Sequence, residues 1–143
     1  MTTKETDVIT ALKEDIETNI DAVSELKGNH LYVYDPAQLS QAQQRTALPF
    51  VIFHYSGIRR ANKSHDVYFD LYLIAKSASL NQIQNTRVVP TATEILQKLR
   101  KEMACNSTAT QRKWELDTEL PDFGVDDKLI YRQRWVTSYQ IIR

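Results

Sequence analysis

The sequence predicts an α+β domain in which two amphipathic helices pack on one face of a mainly antiparallel, four- to five-stranded sheet, in the order αβββαββ. Two stretches repeat apolar residues at three- and four-residue steps, and several others are β-branched and aromatic with period two. No solenoid repeat and no linker divides the chain, so its 143 residues, 16.6 kDa, are expected to form one domain over 1–143. A chain of this size removes roughly 68–70% of its unfolded surface on folding, which supports a core without disulfides or a structural metal.

Each element has its own signal. Thr2-x-x-Glu5 has capping-box spacing, and Val8, Ile9, Leu12, Ile16, Ile20, Val23 and Leu26 follow on one helical face. Gly28 stands where a left-handed C-cap is wanted, and Asp7, Lys13, Glu14, Glu17, Asp21 and Glu25 occupy the opposite face. Leu31-Tyr32-Val33-Tyr34 is a short β-prone run, and Asp35-Pro36-Ala37-Gln38 can open a short helix through Gln44. Phe50 to Tyr55 is a near-continuous apolar run between Pro49 and Gly57, which reads as a strand covered on both faces. The next strand alternates, with Val67, Phe69, Leu71, Leu73 and Ala75 opposed to Tyr68, Asp70, Tyr72 and Lys76. Residues 57–64 between them read as a projecting hairpin loop.

Residues 77–86 are polar and loop-like. Pro90 and the Thr91-x-x-Glu94 spacing then predict a second helix carrying Ala92, Ile95, Leu96, Leu99 and Met103, with Lys98, Arg100 and Lys101 where the helix dipole favours cations. Trp114 and Leu116 suggest a strand from about Arg112 to Asp117, and Leu129 to Ile142 suggests the last. In that final run Leu129, Tyr131, Trp135, Tyr139 and Ile141 share one parity, interrupted by Gln133 and Thr137, while Arg132 and Arg134 point the other way.

No catalytic signature is present in this pattern. His30, His54 and His65 have no second His or Cys at a ligand spacing, and Cys105, the only cysteine, has no nucleophile motif around it. A lone cysteine fits a reducing compartment. Gly28, Gly57 and Gly124 are the only glycines, too few for a phosphate-cradling loop. No cofactor or metal is therefore expected. The N-terminal segment has no apolar stretch of a signal peptide, and nowhere do ~18 apolar residues run together, so neither secretion nor membrane spanning is expected. The 18 basic residues balance 18 acidic ones, which argues against a general nucleic-acid binder.

Charge is nevertheless segregated along the chain. Residues 115–127 hold six acids and no base, among them Asp126 and Asp127, whereas residues 128–143 hold Lys128, Arg132, Arg134 and Arg143 and no acid. Arg59, Arg60 and Lys63 make the loop at 57–64 basic. Opposite-sign patches of this kind suit either head-to-tail contact between copies or pairing between neighbouring strands of one copy.

Together, the first helix, the Pro-initiated strand Leu48-Pro49-Phe50-Val51-Ile52, the alternating strand from Val67 to Ala75, the second helix ending in Leu96-x-x-Leu99 and the closing strand from Leu129 to Thr137 resemble the minor tail proteins of Mu-like phages and prophages. That family is similar to the tail terminators of long-tailed phages. The resemblance runs from about Asp7 to Ile141 and rests on element order and apolar pattern. It implies a structural, non-enzymatic virion protein that forms a homo-oligomeric ring, usually a hexamer, at the head-proximal end of the tail. Such a ring stops tube polymerisation and presents a docking surface to the head. The partners implied are further copies of the chain, the tail tube protein, the head-tail connector and, in a contractile tail, the sheath, with no membrane and no sequence-specific nucleic acid. Its place would be the virion tail, after assembly in the host cytoplasm. On this reading Arg59, Arg60, Lys63, Asp126, Asp127, Arg132 and Arg134 are the candidate subunit or tube contacts. The competing readings are another head-tail joining or tail completion protein, a small-ligand-binding or enzymatic α+β domain unrelated to virions, and an adaptor that binds nucleic acid through Arg59, Arg60 and Lys63.

Overall fold

The computed structural model describes residues 5–33, 49–61, 64–76, 88–104, 113–122 and 128–139. Helix α1 spans Glu5–Asp21, and its stripe of Val8, Leu12, Ile16 and Ile20 is wholly buried while Thr10, Glu14 and Thr18 face solvent. The helix ends at Asp21, and a separate 3₁₀ turn, Ser24–Leu26, delivers Val23 and Leu26 to the core. Asp21 ties this break down: its Oδ1 accepts the Gly28 N–H at 3.0 Å and lies 2.8 Å from His30 Nε2. Gly28 has the expected left-handed backbone, φ +74°, but it closes the 3₁₀ turn and not the long helix.

Five strands follow in one mixed sheet: β1 His30–Tyr32, β2 Phe50–Ala61, β3 Ser64–Lys76, β4 Glu115–Asp122 and β5 Lys128–Tyr139. Helix α2, Val88–Ala104, separates β3 from β4. The spatial order is β1-β2-β3-β5-β4. The α+β class holds, and two corrections apply. The sheet is mixed, because β1 runs parallel to β2 with Leu31 opposite Ile52, and the chain order contains the 3₁₀ turn that αβββαββ omitted. A parallel pair needs a long crossover, and residues 33–49 supply the required length.

The expected loop at 57–64 is mostly ladder. Gly57, Ile58, Arg59, Arg60 and Ala61 pair with Tyr68, Val67, Asp66, His65 and Ser64 in turn, so only residues 62 and 63 lie between the strands. A bulge between Tyr55 and Gly57, where Gly57 adopts φ +135°, absorbs the register shift. On the far side of β3 from this segment runs β5, with Ser138 opposite Asp66. The α2 boundary also moves: the helix begins at Val88, so Thr91 lies inside it and is not its cap. Pro90 is accommodated because first-turn N–H groups have no intrahelical acceptor. The suggested helix from Asp35 to Gln44 lies outside the described residues.

Both helices cover one face of the sheet. Leu12, Ile16, Ile20 and Val23 from the first segment and Ile95, Leu96, Leu99 and Met103 from α2 form one core with Val51, Phe53, Val67, Phe69, Leu71, Leu73 and Trp135. Trp114, just before β4, seals it with an edge-on contact to Phe69 at 5.9 Å. A second cluster occupies the opposite face, where Val33, Phe50, Ile52, Tyr72, Ile74 and Ile130 are buried. β2 and β3 therefore carry apolar side chains on both faces, as the continuous run in β2 predicts.

Candidate interaction surface

The strand parity that directs Arg134 away from the helices places it on the second face, directly opposite Asp70. Arg134 Nε and Nη2 donate to the two carboxylate oxygens of Asp70 at 2.9 and 3.1 Å, in the forked geometry a guanidinium favours. Asp70 is buried. Its hydrogen bonds raise the Arg134 pKa above the ordinary value against the opposing effect of burial, with help from the charge of Asp70 and of Asp117. His54 stacks on Tyr72 beside this pair, with ring centroids 5.7 Å apart, and its Nδ1 donates to the Tyr55 carbonyl at 3.1 Å. Its Nε2 lies 3.9 Å from Asp70, beyond hydrogen-bond range. Arg134, a candidate for contact with a neighbouring copy, is thus paired within its own chain.

A second polar chain lies on the helix side. Arg100 of α2 grips Glu119 of β4 at 2.7 and 2.6 Å, Gln133 donates to the same carboxylate at 2.7 Å, and the Trp135 indole N–H donates to Gln133 at 3.0 Å. Gln133 is only 1% exposed, so the polar interruption in the β5 pattern is the link that joins a buried tryptophan to a surface ion pair. Thr137, the other interruption, donates to the Lys113 carbonyl at 3.0 Å and anchors the approach to β4. Part of the acidic stretch is in this way satisfied inside one copy.

Among the described residues β4 is, like β1, an edge strand, with no strand paired to its outer side. It exposes Leu116 and Leu120, the large apolar side chains left most accessible, at 36% and 49%. Register sends Leu116 to the helix face with Trp135 and Leu120 to the other face with Arg132. Glu115 and Asp117 beside them are exposed. The edge is also interrupted, by a bulge between Leu116 and Thr118 and by Pro121, devices that impede addition of a further strand.

Next to this edge, on the face away from the helices, Asp66, Tyr68, Lys113, Glu115, Val136, Thr137 and Ser138 line an open hollow of about 460 Å³. Ser138 donates to Asp66 at 2.9 Å. Arg59 and Arg60 are exposed at the same end of the sheet. Arg132 is half-buried on β5 and makes no ion pair among the described residues. Lys63, Asp126 and Asp127 lie outside the described residues. The structure therefore gathers Arg59 and Arg60 at one end of the sheet and draws Arg134 inward. Asp66 was not singled out from sequence, and Leu116 only as a strand residue, because the β3–β5–β4 register alone sets Asp66 at the end of the sheet where Glu115 begins β4 and makes β4 an edge.

Among the described residues no group of three or more His, Cys, Asp or Glu is placed to hold a metal, and no helix is long and apolar enough to cross a membrane. No protein-family model matches the chain, and no curated protein matches its sequence.

Proposed function

We propose that the chain is a structural virion protein, the terminator that closes the head-proximal end of a phage tail as a ring, with six copies as the number the family resemblance implies. In this role it stops growth of the tube and offers the head connector a seat, contacting its own copies, the tube protein and, in a contractile tail, the sheath. No bond is made or broken.

The observation that carries the reading is the β4 edge. It exposes a leucine on each face of the sheet, flanked by carboxylates, yet its bulge and proline impede continuous strand addition. Such an edge favours a side-chain contact of defined geometry over an open-ended sheet, which is what a closed ring requires. The test is electron microscopy of particles made by the encoding genome with this gene interrupted. Overlong or headless tails are expected. Tails of normal length with heads attached, or a gene with no tail genes around it, overturn the proposal.

A further inference from the structure

We infer that the hollow between Asp66 and Glu115 is the seat for the Arg59–Arg60 end of a second copy of this chain. The inference rests on the ring reading and specifies the contact that builds it. The charged side chains lining the hollow are two carboxylates, Asp66 and Glu115, against the single ammonium of Lys113. Tyr68 and Ser138 add hydroxyls, and Val136 supplies an apolar floor between Tyr68 and Glu115, with which it pairs in register. A guanidinium suits such a lining, because its flat fork meets carboxylates while its stem packs on apolar surface.

The cations that fit are on the same molecule and out of reach of Glu115. Arg59 and Arg60 end β2, whereas Glu115 begins β4, and with β3 and β5 between them the strands are three spacings apart, roughly 14 Å. Arg59 lies opposite Asp66 in the ladder but forms no ion pair with it among the described residues; Asp66 Oδ1 instead accepts the Ser138 hydroxyl. Arg60 faces His65 and likewise makes no ion pair among the described residues. Among the described residues each copy thus carries a basic end without an ion pair on β2 and an acidic hollow whose Glu115 lies three strands away on β4. A contact between two different patches leaves one of each free at the ends of a dimer, so it propagates until it closes.

The contact is exposed and charged, so it is tested on the full chain at high protein concentration and low ionic strength, where screening is weakest. Sedimentation velocity should show oligomers of the wild-type chain. Arg59→Glu with Arg60→Glu should weaken association about tenfold or more, as should Glu115→Lys, while circular dichroism shows both variants folded. Mixing the two variants should restore assembly, since the reversed end of one meets the reversed hollow of the other. As a second readout, Arg59→Lys with Arg60→Lys creates amines for carbodiimide coupling, and mass spectrometry of mixed light and heavy isotope copies should find links to Glu115 or Asp66 between copies. A monomer under these conditions, links confined within single copies, or oligomers indifferent to the charge reversals overturn the inference. Oligomers indifferent to the reversals leave a ring built on another contact. Reversals that behave as expected in a protein whose loss leaves tail length normal retain this contact and remove the terminator reading.

Discussion

Arg134 and Asp70 sit directly opposite each other on β5 and β3, and the guanidinium donates to both oxygens of a carboxylate that is 3% exposed. Segmental charge along the sequence is therefore an incomplete guide to intermolecular contact: a cation from the basic C-terminal segment is used to neutralise an acid from the middle of the chain. The same holds for Arg100 and Glu119, whereas Arg59 and Arg60 at the sheet's end and Glu115 and Asp117 on β4 are exposed.

Removing the cation should destabilise the fold before it affects any assembly. Arg134→Ala leaves the Asp70 carboxylate buried without its partner, at an expected loss of about 2–3 kcal/mol, below the range for fully buried pairs because the guanidinium is partly exposed. Replacing both residues, Asp70→Leu with Arg134→Met, should recover most of that loss in urea unfolding. An Arg134→Ala protein as stable as wild type would show that the pair is incidental. Charge reversal at Arg134 would for the same reason report on folding and is unsuited to testing a subunit contact.

Leu71 tests the register of the sheet. It is 1% exposed, in the core beneath both helices, and Leu71→Ala should cost about 2–5 kcal/mol through lost burial and the cavity left behind. Wild-type stability in that variant would contradict the packing of the helices on this face.

The helix stripes and the β3 alternation were legible because burial on one face imposes its period directly on the residues: Leu12, Ile16 and Ile20, or Phe69, Leu71 and Leu73. The parity of β5 was legible for the same reason. Residues 57–61 were misread because Gly57 and two arginines look like a turn, whereas a bulge lets a polar strand continue where its side chains face solvent. The parallel β1–β2 pair left no local trace, since its partners are separated by a crossover. The Asp70–Arg134 pair lies 64 residues apart and depends on a register that no short pattern encodes.

Gln133 should prove more important than its place in an apolar pattern suggests. Gln133→Leu keeps much of the volume but removes the acceptor of the Trp135 indole N–H and a donor to Glu119. A loss of about 1–3 kcal/mol is expected, the cost of a buried polar group left unpaired. A neutral or stabilising outcome would mean that the indole finds another acceptor and that this chain of bonds does not hold β4 to α2.

Acid should loosen the end of α1. Burial is the largest single influence on Asp21 and raises its pKa, but the Gly28 N–H, the neighbouring His30 and the charge of Lys27 together outweigh it and hold the net value below the ordinary 3.8. Ser24 and Lys98, which donates to Glu25 at 2.9 and 3.2 Å, likewise hold Glu25 below 4.5. A carboxylate depressed in the folded state stabilises above its unfolded pKa, and that stability is lost as pH falls through the folded pKa. Asp21→Asn and Glu25→Gln should thus each cost up to about 1 kcal/mol near neutrality, small because both groups are solvent-accessible, and the differences from wild type should vanish below the depressed values. Differences that persist unchanged in strong acid would assign the effect to packing.

The free edge makes the final prediction, and it separates folding from association. Leu120 is 49% exposed on β4, so Leu120→Lys should change stability by no more than about 0.5 kcal/mol while adding a charge that opposes strand pairing. Pro121 lies in the same strand opposite Tyr131 and has no N–H to offer a further strand. Pro121→Val supplies that donor and a β-branched side chain next to an exposed leucine, and should convert the edge into a template for uncontrolled sheet growth. Light scattering during incubation should rise faster than wild type for Pro121→Val and more slowly for Leu120→Lys, with thermal midpoints nearly unchanged in both. Equal scattering from all three proteins would show that the β4 edge is not where copies meet, and would remove the observation on which the ring reading chiefly rests.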